Sequence, residues 1–262
     1  MRRLPSGKLL SFLEGKGYNA DFVYLMHKEA PMQVVVLISA EQEWTVVRAQ
    51  FPEAAPQPSP YGEWIAVPLA GREAEPPVVF LHGGWGKIAA AGSTQYAIDR
   101  WQPDLLVNLG TCGGFEGAIA QGAVVLVERA LVYDIVEQMG DPDEALVHYA
   151  TTLDLAWLEG AVLPHPVVRG LMLSGDRDLV PEEVPQLRER FGASVGDWES
   201  GAIAYVAARN GVRCLILRGV TDLVGPQGGE AYDGTVALFS ERARAVMAGL
   251  LAALPGWIST AD

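Results

Sequence analysis

Short apolar runs rich in β-branched residues alternate along the chain with longer segments that have apolar or small residues at helical spacing. Such runs are typical of buried strands in parallel sheets. We predict strands at 33–38, 64–69, 78–81, 105–109, 124–127, 168–173 and 212–217. We predict helices ending near residues 51 and 101, and others at 153–163, 182–191, 199–210 and 235–254. This alternation favours a single three-layer α/β domain.

The predicted domain covers residues 32–255, because the regular pattern begins at Gln33 and the last helix is expected to stop at Pro255-Gly256. Residues 1–31 are predicted to form an N-terminal extension of unknown role, and residues 256–262 a C-terminal tail. Three further segments have the composition of loops. They are the proline-rich stretch 52–62, the glycine-rich stretch 110–114 and the stretch 137–149.

Composition restricts the class of partner. Of 262 residues, 50% are hydrophobic and 19% charged, and the net charge is −13. The negative field repels nucleic acid and anionic membranes, so a small-molecule ligand is expected. The two cysteines, Cys112 and Cys214, are predicted to be buried free thiols. No apolar run reaches the length of a membrane span or a secretory core, so a cytoplasmic protein is expected.

Two carboxylates flank the segment around which the chain is organised. Glu199 opens a helix of small residues, and Asp222 follows the apolar strand that comes next. In a parallel sheet both positions lie at the edge where open α/β folds bind ligands, so the two acids could share one pocket. The alternative is that Glu199 is a solvated acid that complements the dipole at the helix N-terminus, and that Asp222 is a turn residue.

Motifs for a bound cofactor are missing. The glycine-rich stretch 110–114 matches neither the dinucleotide fingerprint nor a phosphate-binding loop, and Lys87 is followed by Ile rather than Ser or Thr. The four histidines are scattered without metal-ligand spacing. We therefore predict no cofactor and no metal, and we interpret His82 and Tyr133 as packing or loop residues.

Five ordered motifs resemble the 5′-methylthioadenosine/S-adenosylhomocysteine nucleosidases, within the wider purine nucleoside phosphorylase superfamily. The resemblance spans about residues 34–254. The motifs are Ser39-Ala-Glu-Gln-Glu43, Gly84-Trp-Gly-Lys-Ile-Ala-Ala-Ala91, Asn108-Leu-Gly-Thr-Cys-Gly-Gly114, Ser174-Gly-Asp176, and Asp197-Trp-Glu199 with Arg218-Gly-Val-Thr-Asp222. It implies a three-layer α/β/α sandwich around a mixed, partly closed central sheet, and a homodimer.

The resemblance also implies roles for three carboxylates. Asp222 would donate a proton to N7 of the purine, which makes the base a better leaving group. Glu199 would hold the ribose hydroxyls. Glu43 would orient and deprotonate the water that attacks C1′. The expected reaction is hydrolysis of the N-glycosidic bond of methylthioadenosine or adenosylhomocysteine.

Further residues are expected to contact the substrate. Trp198 stands where family members often have Met, and Asp178 lies near the position of a base-stacking aromatic. Asp178 could accept from an exocyclic amine, contact a different base or pair with Arg177, and Trp198 could cap the sugar or fill the core. The predicted substrate-binding residues are Thr111, Cys112, Gly113, Trp198, Asp178, Leu179, Arg218 and Thr221.

Other functions remain open at this point. A phosphorylase is the enzymatic alternative, but Asn108 stands where phosphorylases of the superfamily carry arginine, and Glu43 would repel phosphate. Futalosine or another 5′-modified nucleoside is an alternative substrate. A nucleoside-binding homologue without turnover is an alternative of another class, against which the retention of all three carboxylates argues.

Overall fold

A single mixed β-sheet organises the chain. The computed structural model describes residues 31–73, 75–232 and 236–261, and within them eleven strands form one sheet. The strands are β1 (Val34–Ile38), β2 (Gln57–Ser59), β3 (Gly62–Val67), β4 (Val78–His82), β5 (Leu105–Phe115), β6 (Val124–Val132), β7 (Ala150–Thr152), β8 (Val168–Ser174), β9 (Val195–Asp197), β10 (Arg213–Gly225) and β11 (Gly228–Gly229).

Helices cover this sheet. They are α1 (Glu41–Gln50), α2 (Gly86–Trp101), α3 (Pro142–His148), α4 (Val184–Phe191), α5 (Ser200–Asn210) and α6 (Ala237–Ser259). Helix α1 packs against α6, which also contacts β5 and β10. Helix α2 packs against α5, which contacts β6, β7 and β8. The predicted three-layer α/β/α architecture is confirmed.

The centre of the sheet is closed. Strand β5 pairs in parallel with β1 and β10, and antiparallel with β9. From β10 the pairing continues through β6, β8 and β9 and so returns to β5, which closes a ring of five strands. Strands β1, β4, β3 and β2 extend from β5 as an open wing. The prediction of a mixed, partly closed sheet is therefore confirmed.

Burial on both faces explains why the strands are recognisable from sequence. Every residue of β1 is buried, and the first eight residues of β5 are buried as well. Helices on both sides of a sheet remove the need for polar alternation, so such strands are continuous apolar runs. Both cysteines are free and buried, as predicted.

The predicted glycine-rich loop at 110–114 is wrong, because these residues continue strand β5 to Phe115. Their glycines serve close packing in the closed ring rather than a turn. A Cβ on Gly110 would lie 2.2 Å from Nη1 of Arg218, and a Cβ on Gly114 would lie 2.7 Å from Cγ1 of Val220. Such contacts leave no room for any other residue.

Four other segments were also predicted wrongly. In place of the helix at 153–163 there is only a 3₁₀ turn, Ala156–Leu158, after β7. The predicted loop 137–149 contains α3, and the proline-rich stretch 52–62 contains β2. Helix α6 continues through Pro255 to Ser259, because burial of Trp257 and Ile258 offsets the cost of an internal proline.

The predicted N-terminal extension, 1–31, lies outside the described residues except for its last position. From Gln33 onward the described chain forms one compact unit. Among the described residues, no helix combines the length and the apolar character that crossing a bilayer requires.

Candidate active site

A cavity of about 680 Å³ lies at the edge of the sheet where β1, β4, β5, β8 and β10 present their carboxyl-terminal residues. This is the edge at which open α/β folds bind ligands. All but one of the predicted site residues line it: Glu43, Thr111, Cys112, Gly113, Asp178, Leu179, Trp198, Glu199, Thr221 and Asp222. Arg218 is the exception.

Glu43 is a buried carboxylate held in a fixed orientation. It lies in the first turn of α1 and is 1% exposed. Its Oε1 accepts hydrogen bonds from the backbone N (2.6 Å) and from Oγ1 (2.8 Å) of Thr111, and its Oε2 accepts from the backbone N of Ala40 (3.2 Å). These bonds to the β1–α1 loop and to β5 fix the orientation of the carboxylate at the cavity wall.

Arg218 lies behind the cavity wall rather than in it. Its side chain is 1% exposed. Nε lies 3.1 Å from Oδ2 of Asp197, and Nη2 donates to Oε2 of Glu199 (3.4 Å) and to Oδ1 of Asn108 (2.8 Å). Nη1 donates to the carbonyl of Thr111 (3.3 Å). Arg218 therefore contacts Glu199 and the backbone of β5, not Asp222.

Asp197 is a site residue that the sequence did not single out. It lies at the end of β9, accepts a hydrogen bond from Oγ of Ser174 (2.5 Å), and accepts from both the backbone N and Oγ of Ser200. It lines the cavity and is 7% exposed. The signal for it is its place in the Asp197-Trp-Glu199 motif, where it precedes a helix start.

Glu199 joins this charge network from the N-terminus of α5. Its Oε1 accepts from the backbone N of Gly86 (3.1 Å), while Oε2 accepts from Arg218. Burial raises the pKa of Glu199 to about 7; Arg218 opposes the rise, and the neighbouring Asp197 and Glu43 add to it. Three carboxylates around one guanidinium favour retention of a proton.

Asp222 lies inside β10, not at a loop junction after the strand as predicted. The register with β5 shifts between Val220 and Asp222, which leaves Thr221 as the extra residue of a bulge. Neighbouring residues of a regular strand face opposite sides. The bulge instead lets both Thr221 and Asp222 line the cavity.

Burial gives Asp222 the environment of a proton donor. Asp222 is 7% exposed, and burial raises the pKa of its carboxyl group, opposed by the hydrogen bond from Thr221. Thr221 Oγ1 donates to Oδ1 of Asp222 (2.8 Å) and lies 3.3 Å from the carbonyl oxygen of Cys112. Burial also raises the pKa of the Cys112 thiol well above its usual range, which keeps it neutral.

Two aromatic side chains cover one end of the cavity. The rings of Trp198 and Trp85 lie 5.3 Å apart at an interplanar angle of 34°, and both line the cavity. Trp85 is 67% exposed, and sequence analysis did not select it. His82, interpreted there as a packing or loop residue, lines the same cavity and stacks on Trp44.

At the other end, Leu179 packs on backbone. A Cβ on Gly113 would lie 3.2 Å from Cδ1 of Leu179, and a Cβ on Gly196 would lie 2.8 Å from its Cδ2, so the leucine packs closely on β5 and β9. Tyr232, also absent from the predicted set, donates its hydroxyl to the carbonyl of Leu179 (3.0 Å). Asp178 is exposed at the rim, whereas Arg177 pairs with Glu183 (3.0 Å). Arg177 therefore pairs with Glu183 and not with Asp178, which was one of the predicted alternatives.

Comparison with known proteins identifies the family. Residues 62–254 match the sequence model of the phosphorylase superfamily. The chain belongs to this superfamily. Two relatives are 5′-methylthioadenosine/S-adenosylhomocysteine nucleosidases: one from Tolumonas auensis (24% identical over 231 residues, 84% of this chain and 99% of the relative) and one from Lysinibacillus sphaericus (26% over 239 residues, 85% and 100%).

Solved structures of the superfamily share the fold. The nucleosidase from Colwellia psychrerythraea in complex with adenine has a TM-score of 0.68 and 23% identity, over 87% of this chain and 96% of its own. The nucleosidase from Neisseria meningitidis in complex with methylthio-immucillin-A has a TM-score of 0.64 and 20% identity, over 84% and 98%. The resemblance found in the sequence is confirmed.

The raised pKa of Glu199 predicts that the free energy of unfolding falls as rising pH ionises the buried carboxyl group. A group whose pKa rises from 4.5 to about 7 on folding contributes its full stability below the lower value and loses it as pH rises through the upper one. Glu199→Gln does not titrate. The unfolding free energy of the variant minus that of the parent should therefore be roughly 1–3 kcal/mol larger at pH 8 than at pH 5.

Urea unfolding of both proteins at the two pH values measures this difference. Glu144→Gln, at an exposed position of α3, is the matched control for replacing an acid by an amide. A constant difference between Glu199→Gln and the parent across this range would contradict the assigned environment of Glu199.

Proposed function

We propose that the protein is a nucleosidase that hydrolyses the N-glycosidic bond of 5′-methylthioadenosine or S-adenosylhomocysteine and releases free base and free sugar. The observation that carries the proposal is the convergence of three buried carboxylates, Glu43, Glu199 and Asp222, on one cavity. The relatives that bear this enzyme name and the ligands of the neighbouring structures support the substrate class.

Asp222 is proposed as the acid. As the C1′–N9 bond breaks, the electron pair moves into the purine, and a proton from Asp222 to N7 makes the base a neutral leaving group. The raised pKa of Asp222 supports this role, because the donor must hold a proton before the bond breaks. The hydroxyl of Thr221, 2.8 Å from Asp222, would fix the orientation of the carboxyl group.

Glu43 and Glu199 are proposed to act on the sugar. A water between Glu43 and the substrate would give a proton to Glu43 and its oxygen to C1′. Glu199, bonded to Gly86 and Arg218, would accept hydrogen bonds from ribose hydroxyls. Arg218 is proposed as a positioning residue, since its contacts hold Glu199 and the β5 backbone rather than the substrate. The three acids thus divide their tasks by environment.

The charge of the cavity argues against the phosphorylase alternative. Among the described lining residues the one lysine or arginine is Arg177, which is paired with Glu183. Asn108 already donates to the carbonyl of Leu37 (3.0 Å) and accepts from Arg218. Six carboxylates line the cavity, namely Glu41, Glu43, Asp178, Asp197, Glu199 and Asp222. Phosphate would meet repulsion here instead of cationic contacts.

The 5′ substituent is proposed to contact the aromatic end of the cavity. Trp198 is next to Glu199, so a sugar held by Glu199 would direct its 5′ group towards Trp198 and Trp85. Cys112, Gly113 and Leu179 would enclose the base beside Asp222. Asp178, exposed at the rim, would accept a hydrogen bond from an exocyclic amine of the base.

We also propose that the protein is a homodimer. Large apolar side chains are exposed on the loop after β6 and at the start of α2: Val136 (77%), Met139 (97%) and Ile88 (88%). Trp85, which is 67% exposed just before α2, also lines the cavity. Exposed apolar groups of this kind mark interaction surfaces when they are contiguous.

Light scattering at micromolar concentration should give twice the mass of one chain, and the mass of a single chain would refute the dimer.

The acid role of Asp222 predicts the outcome of Asp222→Asn. Asn can donate a hydrogen bond to N7 but cannot transfer a proton. The variant should retain fold and nucleoside binding and lose on the order of 10²-fold or more in kcat for adenine release. Asp143→Asn, a surface acid paired with Arg190 outside the cavity, is the matched control and should keep parental turnover.

Both variants and the parent are assayed for adenine release, with binding measured by calorimetry. Near-parental turnover of Asp222→Asn would return Asp222 to a structural role. Nucleoside binding by the parent without base release would instead favour the non-catalytic homologue.

A further inference from the structure

We propose that Arg242, together with Glu230, is a positioning pair for Asp222 that holds the β10 bulge from outside the cavity. The proposal rests on the proposed function, because Asp222 needs an exact position only if it acts on the substrate. Neither residue belongs to the motifs that identify the superfamily in this sequence, and neither lines the cavity.

The bulge leaves the carbonyl of Thr221 outside the register with β5, and two side chains bond it instead. Arg242 Nη1 donates to this oxygen (3.1 Å) from helix α6, and Gln121 Nε2 donates to it (3.2 Å) from the segment before β6. A buried backbone carbonyl needs such partners. The conformation of the residue just before Asp222 therefore depends on Arg242.

Glu230 holds the residue just after Asp222. Its Oε2 accepts from the backbone N of Leu223 (3.2 Å) and also from Arg242 Nη1 (2.7 Å). Its backbone N donates to the carbonyl of Leu223 (3.1 Å). One ion pair thus binds the backbone on both sides of Asp222, which fixes where its carboxyl group is directed.

The same pair acts on the charge of Asp222. Arg242 stabilises its carboxylate, whereas Glu230 and Asp178 oppose ionisation, and burial is the largest contribution to its raised pKa. Thr221 donates to the carboxylate, and the Cys112 thiol and the Tyr232 phenol also lie near enough to interact with it. Removing Arg242 should therefore raise the pKa of Asp222, and removing Glu230 should lower it.

The test is the pH dependence of kcat in Arg242→Gln and Glu230→Gln. A general acid must be protonated, so kcat falls as pH rises through its pKa in the complex. Loss of Arg242 should move this alkaline limb to higher pH, and loss of Glu230 should move it to lower pH, each by about 0.2–0.7 pH units, the scale of a partly exposed charge pair. Arg242→Gln should also lower kcat by about 10- to 100-fold through misplacement of Asp222.

Two further variants separate this role from a general loss of stability. Arg244→Gln removes the same charge from an exposed position of the same helix and should shift neither the limb nor kcat. Arg242→Lys restores the charge and should return the limb to its parental position. A structural role alone would change the melting temperature of Arg242→Gln without moving the limb in either direction.

The outcomes distinguish this proposal from the proposed function. If Asp222→Asn is inactive and both pair variants keep the parental limb, the positioning pair is refuted while the acid stands. If Asp222→Asn retains full turnover, the acid role fails and the positioning role fails with it. If Arg242→Gln does not fold, the limb of Glu230→Gln decides, since an unshifted limb there contradicts the proposal.

Discussion

The buried guanidinium of Arg218 is the interaction on which the rest of the site depends. It is 1% exposed, and burying such a charge without partners would cost several kcal/mol. Asp197, Glu199 and the carbonyl of Thr111 surround it, so one side chain of β10 binds β5, β9 and the start of α5. Because Gly110 leaves room for the guanidinium, the same contact also requires glycine in β5.

The excess of acid over base in this network gives the site its chemistry. One cation cannot neutralise Asp197, Glu199 and Glu43 together, and burial raises the pKa of Glu199 to about 7. Asp222 stands apart from Arg218, at a position that is 7% exposed and where burial raises its pKa. The cavity thus contains carboxylates with different proton affinities, which is the arrangement that acid and base roles require.

Much of the fold was predictable from sequence, because strands buried on both faces are continuous apolar runs. The order of the motifs also predicted that Glu43, Glu199 and Asp222 would meet in one cavity. Glycine was misread at 110–114, because a glycine needed for close packing has the same sequence signal as one needed for a turn. The bulge at Thr221 was missed for a similar reason, since no residue type announces a register shift.

Residues that act at a distance in sequence were not predictable. Arg242 and Glu230 reach the bulge from α6 and from the segment after β11, and nothing in their spacing links them to Asp222. Trp85 contacts Trp198, and Tyr232 donates a hydrogen bond to Leu179, so both line the cavity through contacts between segments that are far apart in the sequence. Arg218 was expected among the substrate contacts, yet its side chain lies behind the wall.

The central claim is that the nucleophile is water, because every argument from charge in this cavity favours water over phosphate. The direct measurement is identification of the sugar product by mass spectrometry when the protein cleaves 5′-methylthioadenosine with and without inorganic phosphate. We predict free 5-methylthioribose at the same rate in both cases. A sugar 1-phosphate whose formation requires phosphate would contradict the assignment of Glu43 and the hydrolytic mechanism with it.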